Sequence, residues 1–299
     1  MKTSKAWVLA LSEAFLVTFL WSTSYILIKI GVEEINPLAF ASYRYIIASF
    51  ALMIPTLIVY KKDLTNIGLR QVSIFLVLGF TGYFVAQGLQ FVGLYYLSPV
   101  TVTFILNLTP VYVLVFSALF IGEKPSTIQL LGVILTMFGI VVFFYSSFQT
   151  LIELTGLLAA ILSGLGWAAY MILSRYYLRK NKENIVVLTA FSMSLGSLML
   201  LGTTVLTGNV TSTSANIWTF IFWLSIVNTA FAFVLWNHAL KTLKVYEQSV
   251  LQNTMLIQIT LLSVVFFQEQ LTLQKIFGMA MVLIGVLIVQ LRTRNHNET

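Results

Sequence analysis

The sequence predicts an all-α integral membrane protein whose ten transmembrane helices form two inverted repeats of five helices each. Three observations lead to this fold class. The 299 residues are 59% hydrophobic and only 9% charged, whereas soluble domains carry about 25% charged residues. Runs of about 20 apolar residues recur along the chain, each long enough to cross a hydrocarbon layer as a helix. The second half of the chain also repeats key residues of the first half at a constant spacing.

The apolar runs and the short breaks between them predict the ten spans. Pro37, Pro99 and Pro125 each stand at the start of a run, where the missing N–H of proline costs a helix little. The first run is longer than the apolar core of a cleaved signal peptide, so it is predicted to be a helix of the folded protein. The predicted spans are 7–30, 37–60, 71–95, 99–121, 126–145, 154–178, 184–206, 217–240, 246–267 and 272–291.

Lysine and arginine near the span ends are distributed unequally between the two sides of the predicted bundle. Only Lys29 and Lys275 fall on the side away from the N terminus. The opposite side holds fourteen: Lys2, Lys5, Lys61, Lys62, Arg70, Lys124, Arg175, Arg179, Lys180, Lys182, Lys241, Lys244, Arg292 and Arg294. Basic residues are retained in the cytoplasm. We therefore expect a cell (plasma or inner) membrane protein with both termini in the cytoplasm. The net charge of +7 then reflects these loops and does not indicate a nucleic-acid partner.

A shift of 146 residues aligns the second half of the chain with the first. Apolar runs often resemble one another by chance, but matched Trp, Asn, Glu and paired Gly do not. The matched pairs are Trp21 with Trp167, Lys29 with Arg175, Asn107 with Asn253, Ser117 with Ser263, Phe120 with Phe266, Glu123 with Glu269, Gly132 with Gly278, and Gly139 with Gly285. Repeats are predicted over 1–146 and 147–292, followed by a cytoplasmic tail at 293–299.

The odd number of spans in each repeat predicts a function. With five spans per copy, the second copy must cross the membrane in the opposite sense to the first. Inverted repeats of this kind recur in secondary transporters, where the solute site lies near the midplane between the halves. The sequence therefore predicts that a small-molecule solute crosses the bilayer by alternating access.

A motif in the first half, echoed in the second, resembles a known family. It consists of Tyr95-Tyr96-Leu97-Ser98-Pro99, Leu108-Thr109-Pro110 and Gly122-Glu123-Lys124 with Gly132 and Gly139, echoed by Glu269, Gly278 and Gly285. These segments resemble the EamA-type, ten-helix branch of the drug/metabolite transporter superfamily. The second copy departs from the first at Leu256, in place of Pro110, and at Ala190, in place of Arg44. The resemblance implies export of amino acids, related metabolites or drug-like compounds.

Polar side chains deep in the spans are candidates for the solute site, because polar groups in hydrocarbon should face the bundle interior or a cavity. Tyr83, Gln87 and Gln90 share one face of span three, and Asn107 lies one turn before Pro110 in span four. Spans eight and nine add Trp236, Asn237, Asn253 and Gln258. The alternative interpretation is that these groups form hydrogen bonds between helices and only hold the bundle together.

Trp21 and Trp167 occupy matched positions near the middle of spans one and six, with Tyr25 and Tyr170 one turn further on. Tryptophan usually lies at the membrane interface, and the depth of these two residues in their spans weakens that alternative. They predict an aromatic wall for apolar, aromatic or cationic solutes.

Two charged residues inside spans are also candidates. Arg44 could bind a substrate carboxylate with its guanidinium fork, or it could extend outward and pair with Glu33 or Glu34. Glu13 is the only carboxylate well inside a span, so it is the candidate proton carrier.

The remaining distinctive residues favour structural roles. Glu123 and Glu269 stand at span ends, where they could cap the next helix or pair with Lys124 or Lys275. His238 is expected to be packed and hydrogen-bonded. The glycine pairs and the small residues of span six predict close helix packing, within the chain or in a homodimer.

The residue inventory argues against an enzyme, a metal site and a cofactor. The chain has no cysteine and two histidines, and Asp63 is its only aspartate, so neither a membrane aspartyl dyad nor a metal centre is expected. A channel or lipid scramblase is the remaining alternative, although no ring of like charges or filter sequence is visible.

Overall fold

A computed structural model describes residues 5–64, 67–123, 125–145, 153–180, 184–268 and 270–290. These residues form ten long apolar helices: α1 Lys5–Gly31, α2 Pro37–Val59, α3 Leu69–Tyr96, α4 Thr101–Phe120, α5 Thr127–Phe144, α6 Leu154–Arg179, α7 Ile185–Leu206, α8 Ala215–Thr242, α9 Val245–Phe266 and α10 Leu273–Gln290. The ten predicted spans are confirmed, and their edges differ by at most about two residues, within the usual uncertainty of helix boundaries. The predicted tail at 293–299 lies outside the described residues.

The distribution of side chains is that of a protein surrounded by lipid. Large apolar residues are exposed on the outside of the bundle, among them Leu119 at 71% and Phe277 at 67%. Polar residues such as Ser42, Asn237 and Gln248 are fully buried. Apolar surface outside and polar groups inside are expected for helices in a bilayer, and the chain is a multi-pass membrane protein.

Helices related by the offset of 146 residues pack against each other in opposite directions. Helix α5 crosses α10, where a Cβ atom at Gly132 would lie 2.8 Å from the carbonyl oxygen of Gly285, and one at Gly139 would lie 2.8 Å from that of Gly278. Because the start of α5 thereby meets the end of α10, the pair is antiparallel. These glycine faces are filled within one chain, and a homodimer through these helices stays a prediction.

The second antiparallel pair is formed by α2 and α7. Ser42, near the start of α2, contacts Thr204, near the end of α7, with 2.6 Å between their hydroxyl oxygens. Two pairs of equivalent helices thus run in opposite directions, which is the geometry expected of inverted repeats.

Four helices are irregular, and the irregularities fall at matched positions. Helix α3 contains π-helical turns at Gly79–Gln87, and α8 contains them at Ile226–Phe231. Helices α4 and α9 are interrupted at Asn107 and Asn253, which the 146-residue offset pairs. Only α4 has a proline after the break, so the interruption of α9 does not depend on a missing proline N–H.

Hydrogen bonds join the two halves at both ends of the bundle. We call the end where α1 begins the N-terminal face and the opposite end the far face. At the N-terminal face Asn184 donates to the Asp63 carboxylate at 3.0 Å. At the far face Asn36 donates to the side chain of Asn209 at 3.1 Å, and the Tyr43 hydroxyl donates to the carbonyl of Thr211 at 2.9 Å. These contacts hold the halves together around the interior.

Candidate solute site

A narrow cavity lies inside the bundle, with walls from both halves of the chain. Helices α1 to α4 of the first half line it together with α6 and α9 of the second. Its free volume is about 30 Å³, space for only a few water molecules. Six predicted site residues line it: Trp21, Tyr25, Arg44, Gln87, Gln90 and Trp167. The sequence reasoning missed other lining residues, notably Ser24, Ser163 and Gln252.

The cavity extends from the middle of the bundle toward the far face. Trp21 and Trp167 lie near the middle of α1 and α6. Ser24, Gln90 and Ser163 lie in the halves of their helices nearer the far face. A solute in this cavity would therefore sit at or beyond the midplane as seen from the N-terminal face.

A cluster of buried aromatic rings, here called the aromatic barrier, packs against the cavity. It consists of Trp21, Tyr83, Trp167, Tyr170, Phe233 and Trp236. Ring centroids are 5.5 Å apart for Trp21 and Trp167, and 4.8 Å apart for Trp21 and Trp236. Tyr170 and Trp236 lie in the halves of α6 and α8 nearer the N-terminal face. The barrier therefore fills the interior between the cavity and that face.

Hydrogen bonds fix the two tryptophans that belong to both the cavity and the barrier. The indole N–H of Trp21 donates to the backbone carbonyl of Asn228 at 3.0 Å. The indole N–H of Trp167 donates to the side-chain oxygen of Gln252 at 2.8 Å. The first bond joins the two halves of the chain, so the position of the Trp21 ring depends on how the halves are arranged. The second bond joins α6 to α9 within the second half.

Asn228 is a buried polar residue beside the cavity wall that the sequence reasoning missed. It lies in the π-helical turns of α8, and its side-chain amide donates to the Leu20 carbonyl at 2.5 Å and to the Ser24 hydroxyl at 2.9 Å. The sequence contained a signal for Asn228, because its side-chain amide lies in the middle of an apolar span. Burying that amide in the membrane costs as much free energy as burying the amide of Asn107, which was selected. π-Helical turns often occur at functional sites, but periodicity does not reveal them.

Arg44 points into the bundle, so the outward pairing with Glu33 or Glu34 is wrong. Its side chain is buried, and Nε donates to the Thr229 hydroxyl at 2.7 Å. One terminal nitrogen donates to the Asn228 carbonyl at 3.3 Å. The π-helical turns of α8 supply these acceptors inside the bundle, which leaves the guanidinium at the cavity wall.

Glu34 has other partners at the far face. Its carboxylate accepts from the backbone N–H of Ser214 at 2.7 Å and from the Thr213 hydroxyl at 2.9 Å. Hydrogen bonds from Ser214 and Thr213 hold the pKa of Glu34 below its ordinary value, because they favour the ionised carboxylate. Glu34 therefore helps to join the two halves of the chain, and its carboxylate does not pair with Arg44.

The other predicted site residues lie in the packed interior beside the cavity. The hydroxyls of Tyr83 and Tyr170 are 3.1 Å apart, and Asn237 donates to Tyr170 at 2.7 Å. Gln258 accepts from Ser22 of α1 at 2.7 Å. Trp236, Asn107 and Asn253 are buried. These contacts connect helices, as the alternative interpretation describes, and a direct solute contact at these residues stays a prediction.

A wider opening, here called the vestibule, lies at the N-terminal face and has a volume of about 540 Å³. Glu13 lines it, with one carboxylate oxygen 2.7 Å from Nδ1 of His238. The prediction that His238 is packed is wrong, since 47% of its side chain is exposed. Asp63 and Lys241 also line the vestibule. Across the described residues, no three histidine or acidic side chains are grouped to hold a metal.

Glu123 does not cap the helix that follows it. Its carboxylate accepts from Nε of Arg175 at 3.0 Å and from the backbone N–H of Val245, at the start of α9, at 3.1 Å. Ser126 caps α5 instead. The two other residues of the predicted pairing scheme, Lys124 and Glu269, lie outside the described residues. The buried Glu123–Arg175 pair joins the halves at the N-terminal face.

Comparison with known proteins agrees with this architecture. A protein named uncharacterized transporter from Archaeoglobus fulgidus is 28% identical over 95% of this chain and 98% of its own. The Bacillus subtilis protein named uncharacterized transporter YvbV is 29% identical over 95% of this chain and 92% of its own length. The protein named uncharacterized transporter YoaV, from the same organism, is 24% identical over 90% of this chain and 92% of its own length. One crystal structure, 21% identical, superposes with a TM-score of 0.78 over 94% of this chain and 98% of its own, which shows the shared fold.

The family match covers nearly the whole chain. The model of the EamA-like transporter family matches residues 8–145 and again residues 154–291. The resemblance seen in the sequence motifs is thereby confirmed. The chain belongs to the EamA-like transporter family and is a membrane transporter.

Proposed function

We propose that this protein is a secondary transporter that binds a small solute in the central cavity and carries it across the membrane by alternating access. One observation carries the proposal. The cavity has walls from both halves of the chain, and the aromatic barrier separates it from the vestibule at the N-terminal face. A site between two halves, with a barrier on one side, is the arrangement that alternating access requires.

The antiparallel packing of equivalent helices supports this mechanism. Helices α2 and α7, and likewise α5 and α10, run in opposite directions. If the halves are inverted copies over 1–146 and 147–292, exchanging their conformations would open the barrier and place the closure on the other side of the cavity. Two such states of similar energy would be populated in turn as the solute binds and leaves.

A channel or scramblase is less well supported. The cavity is narrow, and the ring centroids of the barrier tryptophans are 5.5 Å apart, so solute passage requires the side chains to move apart. A carrier makes such movements once for every solute that it transports, whereas an open channel passes many solutes through one continuous pore. We also propose that the solute is exported from the cell, a direction that rests on the family resemblance alone.

Counterflow in proteoliposomes tests the mechanism. Vesicles are preloaded with an unlabelled amino acid or drug-like compound and then given a trace of the same compound in radiolabelled form. A carrier is expected to accumulate label transiently above its external concentration and to saturate, because exchange through one site couples the two fluxes. Vesicles without preload are the control. Equilibration with no overshoot would indicate a channel.

We further propose that the N-terminal face is cytoplasmic, which is supported by fourteen basic residues on that side against two on the other. An alkaline phosphatase domain, which is active only outside the cytoplasm, is expected to remain inactive when fused after Thr299. Fusion at Gly208, in the loop before α8, serves as the positive control. Activity at Thr299 would reverse the orientation.

A further inference from the structure

We infer that the transported solute carries a single carboxylate, which the guanidinium of Arg44 binds in the central cavity. This inference rests on the proposed function, since it names the class of solute for the same site. It follows from three features of the cavity: a buried cation without an acidic partner, further unused hydrogen-bond donors, and an apolar wall.

The first feature is the environment of Arg44. Its residue exposure is 2%, yet across the described residues no carboxylate lies within 4.0 Å of its guanidinium. The bonds to Thr229 and Asn228 use two of its five N–H donors. A buried cation is costly unless it is paired, and an arginine fork matches a carboxylate in geometry as well as charge. A solute carboxylate would complete the pair.

The second feature is the set of polar groups around Arg44. Within the part of the chain that the structure describes, the Tyr25 hydroxyl and the Gln90 side-chain amide line the cavity and form no hydrogen bond. Among the described residues, Arg44 is the only charged one in the cavity wall, and no aspartate or glutamate lines it. Donors with one positive charge favour a monoanion, whereas an amine or a divalent cation would meet no opposite charge.

The third feature is the apolar part of the cavity wall. Trp21, Trp167, Leu106 and Met255 contribute to it, so the solute is expected to have an apolar or aromatic body. A phosphate dianion would leave one negative charge without a cation in this cavity. A monocarboxylate has a single negative charge, which Arg44 balances, so we favour a monocarboxylate.

Three ligands with one carbon skeleton test the inference in the unaltered protein. They are 3-phenylpropionate, the neutral 3-phenylpropanamide and the cationic 3-phenylpropylamine. Thermal unfolding of the purified full-length protein measures binding, because a ligand of the folded state raises Tm. The cavity has space for only a few water molecules in this structure, so binding of these ligands requires it to widen. We expect only the carboxylate to raise Tm and to drive counterflow. Equal or stronger binding of the amide or the amine would overturn the inference.

Variants then locate the carboxylate. Arg44→Gln is expected to weaken 3-phenylpropionate binding by at least about tenfold, since hydrogen bonds to charged groups are the stronger ones. Arg44→Lys keeps the charge but loses the fork, so an intermediate affinity is expected. Lys29→Gln is the matched control, because Lys29 is a cation of α1 that donates to the Leu94 carbonyl and does not line the cavity. Unchanged affinity in folded Arg44→Gln would overturn the assignment.

The outcomes separate this inference from the proposed function. If the amide or the amine drives saturable counterflow, secondary transport stands and the carboxylate is excluded. If 3-phenylpropionate binds through Arg44 but gives no counterflow, the carboxylate site stands and alternating-access transport of this compound is excluded. If Arg44→Gln does not fold, the comparison of the three ligands in the unaltered protein decides alone.

Discussion

Replacing Glu123 with alanine is expected to lower the free energy of unfolding by about 3–5 kcal/mol, the usual cost of breaking a buried ion pair from one side. The side chains of Glu123 and Arg175 are only 5% and 8% exposed. Without the carboxylate, Arg175 keeps its bonds to the carbonyls of Leu240 and Lys241 but remains a buried charge without a counterion. The variant also loses the acceptor for the first N–H of α9.

Thermal unfolding in detergent and abundance in the membrane measure the effect. Arg179→Ala is the matched control, because Arg179 contacts the same carboxylate at 3.2 Å but is 51% exposed, and exposed pairs contribute about 0–1 kcal/mol. Adding Arg175→Leu to Glu123→Ala is expected to recover part of the loss, since no unpaired charge then remains buried. A Glu123→Ala protein with unchanged Tm would contradict this account.

The ten spans were predictable because they depend on composition alone. A membrane helix must present about 20 apolar residues whatever its neighbours are, and the prolines and polar breaks mark its ends. The interruptions of α4 and α9 at Asn107 and Asn253 were not predicted, although the 146-residue offset pairs these two residues. Local properties of the chain are sufficient for the prediction of the spans.

Contacts between distant residues could not be predicted in the same way. Arg44 finds its acceptors at Asn228 and Thr229, about 185 positions along the chain, and Glu123 finds Arg175 52 positions away. The sequence gives the depth of a residue in the membrane but not the helix that faces it. The sequence showed that Arg44 lies inside a span. It did not show that the π-helical turns of α8 supply the hydrogen-bond acceptors for its guanidinium.

The candidate site was only partly predictable for a related reason. Polarity and periodicity separate the interior of a bundle from lipid, but they do not separate a cavity wall from the packed interior beside it. Gln90 and Trp167 line the cavity, whereas Asn107, chosen by the same rule, is buried next to it. Which buried side of a helix borders empty space depends on the packing of all its neighbours.

Replacing Trp21 or Trp167 with alanine is expected to have a similarly large effect, because each belongs both to the cavity wall and to the aromatic barrier. Their residue exposures are 8% and 4%. Removing a buried tryptophan side chain costs about 3–5 kcal/mol, so both variants should be less abundant in the membrane. A loss of abundance alone would therefore show that the tryptophan packs the interior, and it would not show whether the side chain contacts the solute.

Substitution with phenylalanine separates the two roles. Trp21→Phe and Trp167→Phe keep an aromatic ring in the barrier but remove the indole N–H that binds Asn228 or Gln252. We expect near-normal abundance and reduced counterflow, because these bonds fix the ring surface that the solute meets. Trp236→Phe is the matched control: its ring is fully buried in the barrier, does not line the cavity, and has an indole N–H without a partner among the described residues. It should lose neither abundance nor counterflow, and if Trp21→Phe and Trp167→Phe behave as it does, the two tryptophans pack the barrier without forming the solute site.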